Sequence, residues 1–454
     1  MSVIPADEVP AGLGAQPAAP GALLSKRYRT YALTVLMLIY VLNFLDRQVV
    51  SILAEPIKQD LGLHDWQLGM MTGLAFAVLY TFLGLPIARI AERADRPAII
   101  AASVAVWSGF TALCGLAQSF THLIIARVGV GIGESGCTPP ALSLISDYTP
   151  REERASAIAF YMLGSPVGSV LGLVAGGLVA DAFGWRMAFI AVGLPGLLFA
   201  LIAIATLAEP RRALRQARQA IEDNAPSFGA TLKMLLSKRA YCSIVGAVTL
   251  KSFISYGSLA FTASFFFRNH ETALAEWAGM FGLKSAGLLG LLMGVTTGVT
   301  AIAGTMLGGR LADRLGARDL RAYASIPALS TLAAVPFSVA ALLVGDLALA
   351  LGLMLIPGLL GSMWLGPAYA AVQGLVPANS RATATAVMLF VSNLVGLGLG
   401  PLAVGLLSDA FAGAGGMGAA EGIRWALVWS SVLVFPCVWL FWTAGRTITG
   451  EMES

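Results

Sequence analysis

The chain has 454 residues, of which 57% are hydrophobic and 12% charged, with a mean hydropathy of +0.78. Soluble domains carry about a quarter of charged residues, so this composition excludes a soluble globular enzyme and places the chain in a bilayer. The net charge of +4 takes its meaning only from the side on which the basic residues lie, and nothing points to nucleic acid.

Residues 1–25 are rich in Ala, Pro and Gly and read as a disordered tail ahead of Lys26, Arg27 and Arg29. Beyond them the apolar runs reach helix-spanning length, not the short alternating strands of a barrel. Windows of this kind predict twelve helices, near 31–53, 67–88, 98–117, 122–146, 156–180, 187–207, 241–267, 285–308, 321–343, 347–372, 382–407 and 425–443. Twelve spans put both termini on one side. Of the 29 Lys and Arg residues, 21 fall on that side, five on the other, and Arg47, Arg127 and Lys251 lie inside spans. The positive-inside rule makes the termini cytoplasmic.

Residues 209–239 form a polar then basic central loop, RRALRQARQAIED followed by KMLLSKR. It separates an N-terminal six-helix bundle, 26–208, from a C-terminal one, 240–445, with 446–454 as a cytoplasmic tail. The bundles echo each other. GRLADRLGAR at 309–318 answers ARIAERADRP at 88–97, VPANSRATATA at 376–386 answers TPREERASAIA at 149–159, and GLLSDAF at 405–411 answers GLVADAF at 177–183. The offsets, read from Asp313 and Glu92, Arg381 and Arg154, and the two motif starts 405 and 177, are 221, 227 and 228. Such a parallel duplication predicts an all-α membrane protein, two six-helix bundles related by a pseudo-twofold axis along the membrane normal, and thus a transporter. Cys114, Cys137, Cys242 and Cys437 sit in apolar runs, and His64, His122 and His270 are scattered through connectors. Neither a disulfide framework, a metal nor a cofactor is expected.

GRLADRLGAR fits the loop motif of the major facilitator superfamily between helices 8 and 9, whereas the first copy departs from it at Ala88, Glu92 and Asp95. NFLDRQVV in helix 1, GLAFAVLYTFLGLPIARIAER in helix 2 and ARVGVGIGESG in helix 4 together resemble the bacterial branch of the Spinster family. The resemblance implies the major facilitator fold and proton-linked movement of amphiphilic substrates, which in animal members are sphingosine phosphate or lysophospholipids. A monomer in a bacterial inner membrane, not an enzyme, is the corresponding expectation.

NFLDRQ, residues 43–48, sets Asp46 beside Arg47 within the first span. Either charge at a helix centre costs about 2.5–3.5 kcal/mol, so both must face protein or water. Arg127 and Glu134 lie two turns apart on one face of helix 4, about 10 Å along the axis. In the major facilitator fold helices 1 and 4 both line the central cavity, so Asp46 is expected to approach Arg127, and Arg47 to reach Glu134 or a substrate anion. These four form an expected proton switch, in which separating a carboxylate from its cation favours proton uptake. The competing reading is that they only neutralise one another and fix helix packing. Lys251, with no acidic partner in its half, is expected in the substrate cavity as an anion point charge, alongside Arg47, Arg127, Tyr40, Asn43, Tyr256 and Asn393. Tyr80, Phe253, Trp364 and Tyr369 form a weaker cavity set.

Glu92 and Asp313 are expected to cap helix 11 near Ser380 and helix 5 near Arg151, each in the opposite half. With Arg93, Arg314, Arg154 and Arg381 they make an expected cytoplasmic gate. Gly131, Gly133 and Gly136 spell GxGxxG inside an apolar span with no preceding strand, which reads as close helix packing and not as a dinucleotide site. The resulting expectation is a proton-coupled secondary transporter of an amphiphilic, anionic, lipid-like substrate. A proton-coupled organic-anion symporter or multidrug exporter of the same fold is the alternative. A membrane-embedded lipid enzyme lacks a placed nucleophile and base.

Overall fold

The structure, a computed structural model, describes residues 25–150, 153–210, 228–377 and 380–452. The described elements are helical, and no strand occurs among them. The N-terminal half contains α1 (Lys26–Leu61), α2 (Asp65–Gly69, a π-helical stretch Met70–Leu74, then Ala75–Arg93) and α3 (Arg96–Cys114). It continues with α4 (Phe120–Glu134 and Thr138–Tyr148), α5 (Arg154–Met162 and Gly164–Phe183) and α6 (Trp185–Thr206). The C-terminal half contains α7 (Arg239–Asn269), α8 (Ser285–Gly316), α9 (Ala322–Leu343) and α10 (Leu347–Leu360 and Leu365–Gly374). α11 (Arg381–Val391, π-helical Ser392–Leu399, Gly400–Ala412) and α12 (Gly418–Ser430, Ser431–Leu433 and Val434–Glu451) complete it.

Eleven helices among the described residues are long and apolar enough to cross a membrane. The twelfth, α4, runs in two pieces end to end, because Ser135–Cys137 interrupt it just before Pro139 and Pro140. Local chemistry sets many of the ends. Ser25, Asp95, Ser119 and Asp346 each accept a hydrogen bond from the backbone N–H three residues on, capping α1, α3, α4 and α10. α1 stops at Gly62, whose φ of +63° few other residues adopt at low cost.

Packing divides the molecule by level. At the end away from the termini, a single hydrophobic cluster includes Ile52 and Leu53 of α1, Leu173 of α5, Phe261 and Phe265 of α7 and Leu289 of α8, so both halves share one core. At the end carrying the termini the core splits. One cluster holds Leu36, Trp107, Leu144 and Tyr148 of the N-terminal half with Leu397 of α11 joining them, and another holds Tyr241, Val372, Met388 and Phe441 of the C-terminal half.

Hydrogen bonds follow the same division. Asp181 at the end of α5 accepts from the N–H groups of Lys284 (2.9 Å) and Gly287 (2.8 Å) at the start of α8. Asp409 near the end of α11 accepts from those of Asp65 (3.1 Å) and Trp66 (2.8 Å) at the start of α2. Arg268 of α7 lies between Glu55 of α1 and Asp65 of α2, 2.7 Å from each, and Ser408 donates to Asp65 at 2.6 Å. No ion pair between described residues joins the two halves at the end carrying the termini. Close approach helps to seal the other end: a Cβ on Gly177 of α5 would lie 2.3 Å from the carbonyl oxygen of Ala286.

Two sequence boundaries move. α12 continues past Arg446 to Glu451, whose carboxylate accepts from the N–H groups of Arg239 (3.1 Å) and Ala240 (2.9 Å), so residues expected as a tail brace the start of α7. Within the central loop Phe228–Ser237 is helical. Residues 1–24 of the expected tail and the central-loop residues 211–227 lie outside the described residues.

Candidate functional site

The site is built where α1, α2, α3 and α4 meet. Glycine lets α4 come close: a Cβ on Gly131 would lie 2.5 Å from the carbonyl oxygen of Phe76 on α2, and one on Gly133 would lie 2.4 Å from the backbone nitrogen of Trp107 on α3. This packing draws Glu134, the last residue before the break in α4, into the interior, where it is 1% exposed. Arg47 of α1 meets it there. Its Nε and Nη2 both lie 2.7 Å from Oε2 of Glu134.

Aromatic faces hold the rest of the Arg47 guanidinium, whose carbon sits 5.3 Å from the ring centre of Phe44, 4.8 Å from Phe76 and 4.6 Å from Tyr80. Phe76 also receives the Arg127 guanidinium, at 5.2 Å. One phenyl ring thus contacts both buried cations, which attract its π-face and would repel each other. Arg127 is otherwise weakly held: its Nε is 3.5 Å from the carbonyl of Met71, in the π-helical stretch of α2, and its Nη1 has no partner.

Asp46 lies near enough to Arg127 for their charges to interact but forms no ion pair with it. Asp46, 2% exposed, instead accepts a hydrogen bond at 2.6 Å from the hydroxyl of Thr111 on α3, and its second oxygen is buried and unpartnered. The physical reason is angular. Asp46 and Arg47 are neighbours about 100° apart on α1, so the rotation that aims Arg47 at α4 turns Asp46 toward α3.

Beside this cluster lies a cavity of about 50 Å³ between the halves, lined by Phe44, Arg47, Gln48, Phe76 and Arg127 from one and Tyr256, Leu259 and Leu397 from the other. Of the expected cavity residues, Arg47, Arg127 and Tyr256 reach it. Asn43 is buried on α1, Tyr40 stacks on Tyr161 at 4.5 Å, and Asn393 is half-buried in the π-helical stretch of α11. Lys251 stands apart from this cavity. It is 7% exposed inside the C-terminal half, with Nζ 3.6 Å from where a Cβ on Gly361 would stand, at the break in α10. No described group pairs with it.

Of the residues expected to form the cytoplasmic gate, Asp313, Arg314, Arg154 and Arg381 are described. Asp313 and Arg314 are exposed without ion pairs among the described residues, Arg381 is exposed, and Arg154 donates to the carbonyl of Ser146 in its own half at 2.7 Å. The side chains of Glu92 and Arg93 lie outside the described residues. The caps that do link the halves, Asp181 and Asp409, occupy equivalent places in GLVADAF and GLLSDAF. That repeat was the available signal for them. Phe76 and Thr111 carried none, since single aromatics and threonines in apolar spans are ordinary packing residues.

Comparison with known proteins bears on what this arrangement serves. Residues 36–401 match the Major Facilitator Superfamily profile. An MFS-type efflux pump of Mycolicibacterium smegmatis is 34% identical over 378 residues, 83% of this chain and 84% of that protein. Protein spinster homolog 1 of Mus musculus is 27% identical over 394 residues, 85% of this chain and 74% of that protein. The crystal structure of a bacterial homologue of the human lysosomal transporter Spinster, inward-facing and unoccupied, is 33% identical. It aligns over 95% of this chain and 99% of its own with a TM-score of 0.85.

Proposed function

The chain belongs to the major facilitator superfamily, in its Spinster branch, and from that premise we propose that it is a proton-coupled secondary transporter of an amphiphilic, anionic substrate. The observation that carries this reading is the unequal holding of two buried carboxylates. Glu134 is locked to Arg47 by a hydrogen bond within an ion pair, so protonating it would strand a buried cation, at a cost of about 3–5 kcal/mol. Asp46 is held by a neutral hydroxyl and can gain a proton without breaking an ion pair. Asp46 is therefore the proton carrier, Arg127 the nearby cation that favours its ionised form, and Arg47 with Glu134 the fixed frame.

The single core that both halves share at the end away from the termini supports alternating access, with that end closed. The excess of basic residues at the end carrying the termini supports a cytoplasmic orientation for it, in a bacterial inner membrane. Guanidinium groups set among Phe44, Phe76, Tyr256 and Leu259 suit a molecule with an anionic head and an apolar body. A cavity of about 50 Å³ is too small for such a molecule, so loading requires the cleft between the halves to widen. That the Mycolicibacterium relative is an efflux pump favours export and supports a second reading, a multidrug exporter with broader substrate choice.

The test is flux in proteoliposomes containing the full chain, with lysophospholipids, amphiphilic drugs and organic anions as substrates. Gradient-driven movement of lysophospholipids that collapses with a protonophore is the expected result. Movement indifferent to the protonophore would overturn the coupling, and drugs carried in preference to lysophospholipids would select the second reading.

A further inference from the structure

The partner of Asp46 has an ambiguity that its chemistry turns to use. Thr111 is 1% exposed, and its Oγ1 lies 2.6 Å from Oδ2 of Asp46 and 2.9 Å from the carbonyl oxygen of Trp107, one turn earlier on α3. A hydroxyl has one hydrogen and two lone pairs, so it donates to only one of these oxygens at a time. When Asp46 is ionised, the hydroxyl hydrogen must point at the carboxylate, because two acceptors cannot face each other. When Asp46 carries a proton on Oδ2, that hydrogen can point at Oγ1 and the hydroxyl can turn to Trp107. In both states the contacting oxygens of Asp46 and Thr111 remain paired, and the carbonyl of Trp107 has its ordinary place in the helix.

We propose that Thr111 is a positioning residue for proton coupling, whose hydrogen bond to Asp46 reverses direction as Asp46 gains or loses its proton. This rests on the reading of Asp46 as the proton carrier. The charged and titratable groups that face Asp46 are Arg47 on its own helix, Arg127 and Glu134 on α4 and Cys114 on α3. Of the side chains around it, Thr111 is the one hydrogen-bonded to its carboxylate. A threonine bonded back to the carbonyl four residues earlier is common in helices, and that bond alone would be structural and dispensable. The contact with Asp46 is what separates the two roles.

The experiment compares Thr111→Ser and Thr111→Val, with Asp46→Asn alongside, in proteoliposomes loaded with the substrate found for the parent chain. Gradient-driven flux is measured across pH, and substrate counterflow without a gradient reports folding and binding. Thr111→Ser should keep the parent pH profile. Thr111→Val removes a donor to the carboxylate and an acceptor for the protonated form. Bonds to a charged group are the stronger, so the midpoint should move to higher pH, by about one unit, while counterflow persists. Should valine impair folding, Thr111→Ala removes the hydroxyl without adding a methyl and carries the same expectation. A valine or alanine profile superimposed on the parent, or a serine profile displaced as far as the valine one, would overturn the proposal. Full gradient-driven flux in Asp46→Asn would instead remove Asp46 as the carrier, and this proposal with it.

Discussion

Asp409 does for the C-terminal half what Asp181 does for the N-terminal half: each places a carboxylate on the first turn of a helix in the opposite bundle. They are 228 residues apart, 409 minus 181, the offset of the repeated motif that contains both. A helix start offers unsatisfied N–H groups and a partial positive charge, so each contact is a cap across the seam as well as a hydrogen bond. A device of the kind expected of Glu92 and Asp313 is thus built at the end away from the termini.

Removing both caps should loosen that end. A lost cap costs about 0.5–2 kcal/mol. Asp181→Ala with Asp409→Ala should therefore shift the balance between the two states by at least several-fold toward opening at the end away from the termini. The measurement is labelling of Ser51→Cys, a cavity residue, by a membrane-impermeant thiol reagent in a background lacking Cys242. Labelling unchanged from the Ser51→Cys parent would show that the Arg268 network holds this end by itself.

Neutralising the carrier should uncouple transport without unfolding the protein. Asn at position 46 keeps an oxygen for the Thr111 hydroxyl, so the packing of α1 on α3 is preserved. Gradient-driven flux in Asp46→Asn should fall at least about ten-fold while counterflow continues. Loss of both together would assign Asp46 to structure.

The Arg47–Glu134 pair should prove more costly to halve than to delete. Glu134→Met leaves a buried guanidinium without its counter-charge, a loss of about 3–5 kcal/mol, softened by the three rings around it. Adding Arg47→Met should recover part of that loss. Thermal unfolding in detergent decides the matter, since additive losses in the double variant would mean that the pair contributes little.

Lys251 is a buried cation with no described partner, so an anion from outside the protein is its natural complement. Lys251→Met should leave the fold as stable as before or more so, and should weaken anionic substrates at least about ten-fold more than neutral ones. Competition assays with matched anionic and neutral amphiphiles read this directly. Equal weakening of both would make the lysine a packing residue at the α10 break.

The membrane class, the run of spans and the duplication were legible because each is written in local composition. A stretch of some twenty apolar residues or a repeat at constant offset can be recognised without knowing what it touches. The interruption of α4 was harder to see, since Gly131 to Pro140 reads as one apolar run although Ser135–Cys137 break the helix within it. The four charges of α1 and α4 were legible for the same local reason, as costly groups in hydrocarbon.

Their partners were not. Sequence could propose that Asp46 meets Arg127; the structure turns Asp46 to Thr111, gives Arg47 to Glu134 and lays both arginines on Phe76. It also sets Lys251 inside the C-terminal half and closes the end away from the termini with Asp181 and Asp409. These outcomes depend on the rotation of each helix about its axis and on how closely its neighbours approach, which Gly131, Gly133 and Gly177 govern through contacts with residues distant in the chain. Hydropathy determines that a helix crosses the membrane, but the face it turns to a given neighbour is decided only when all the helices pack together.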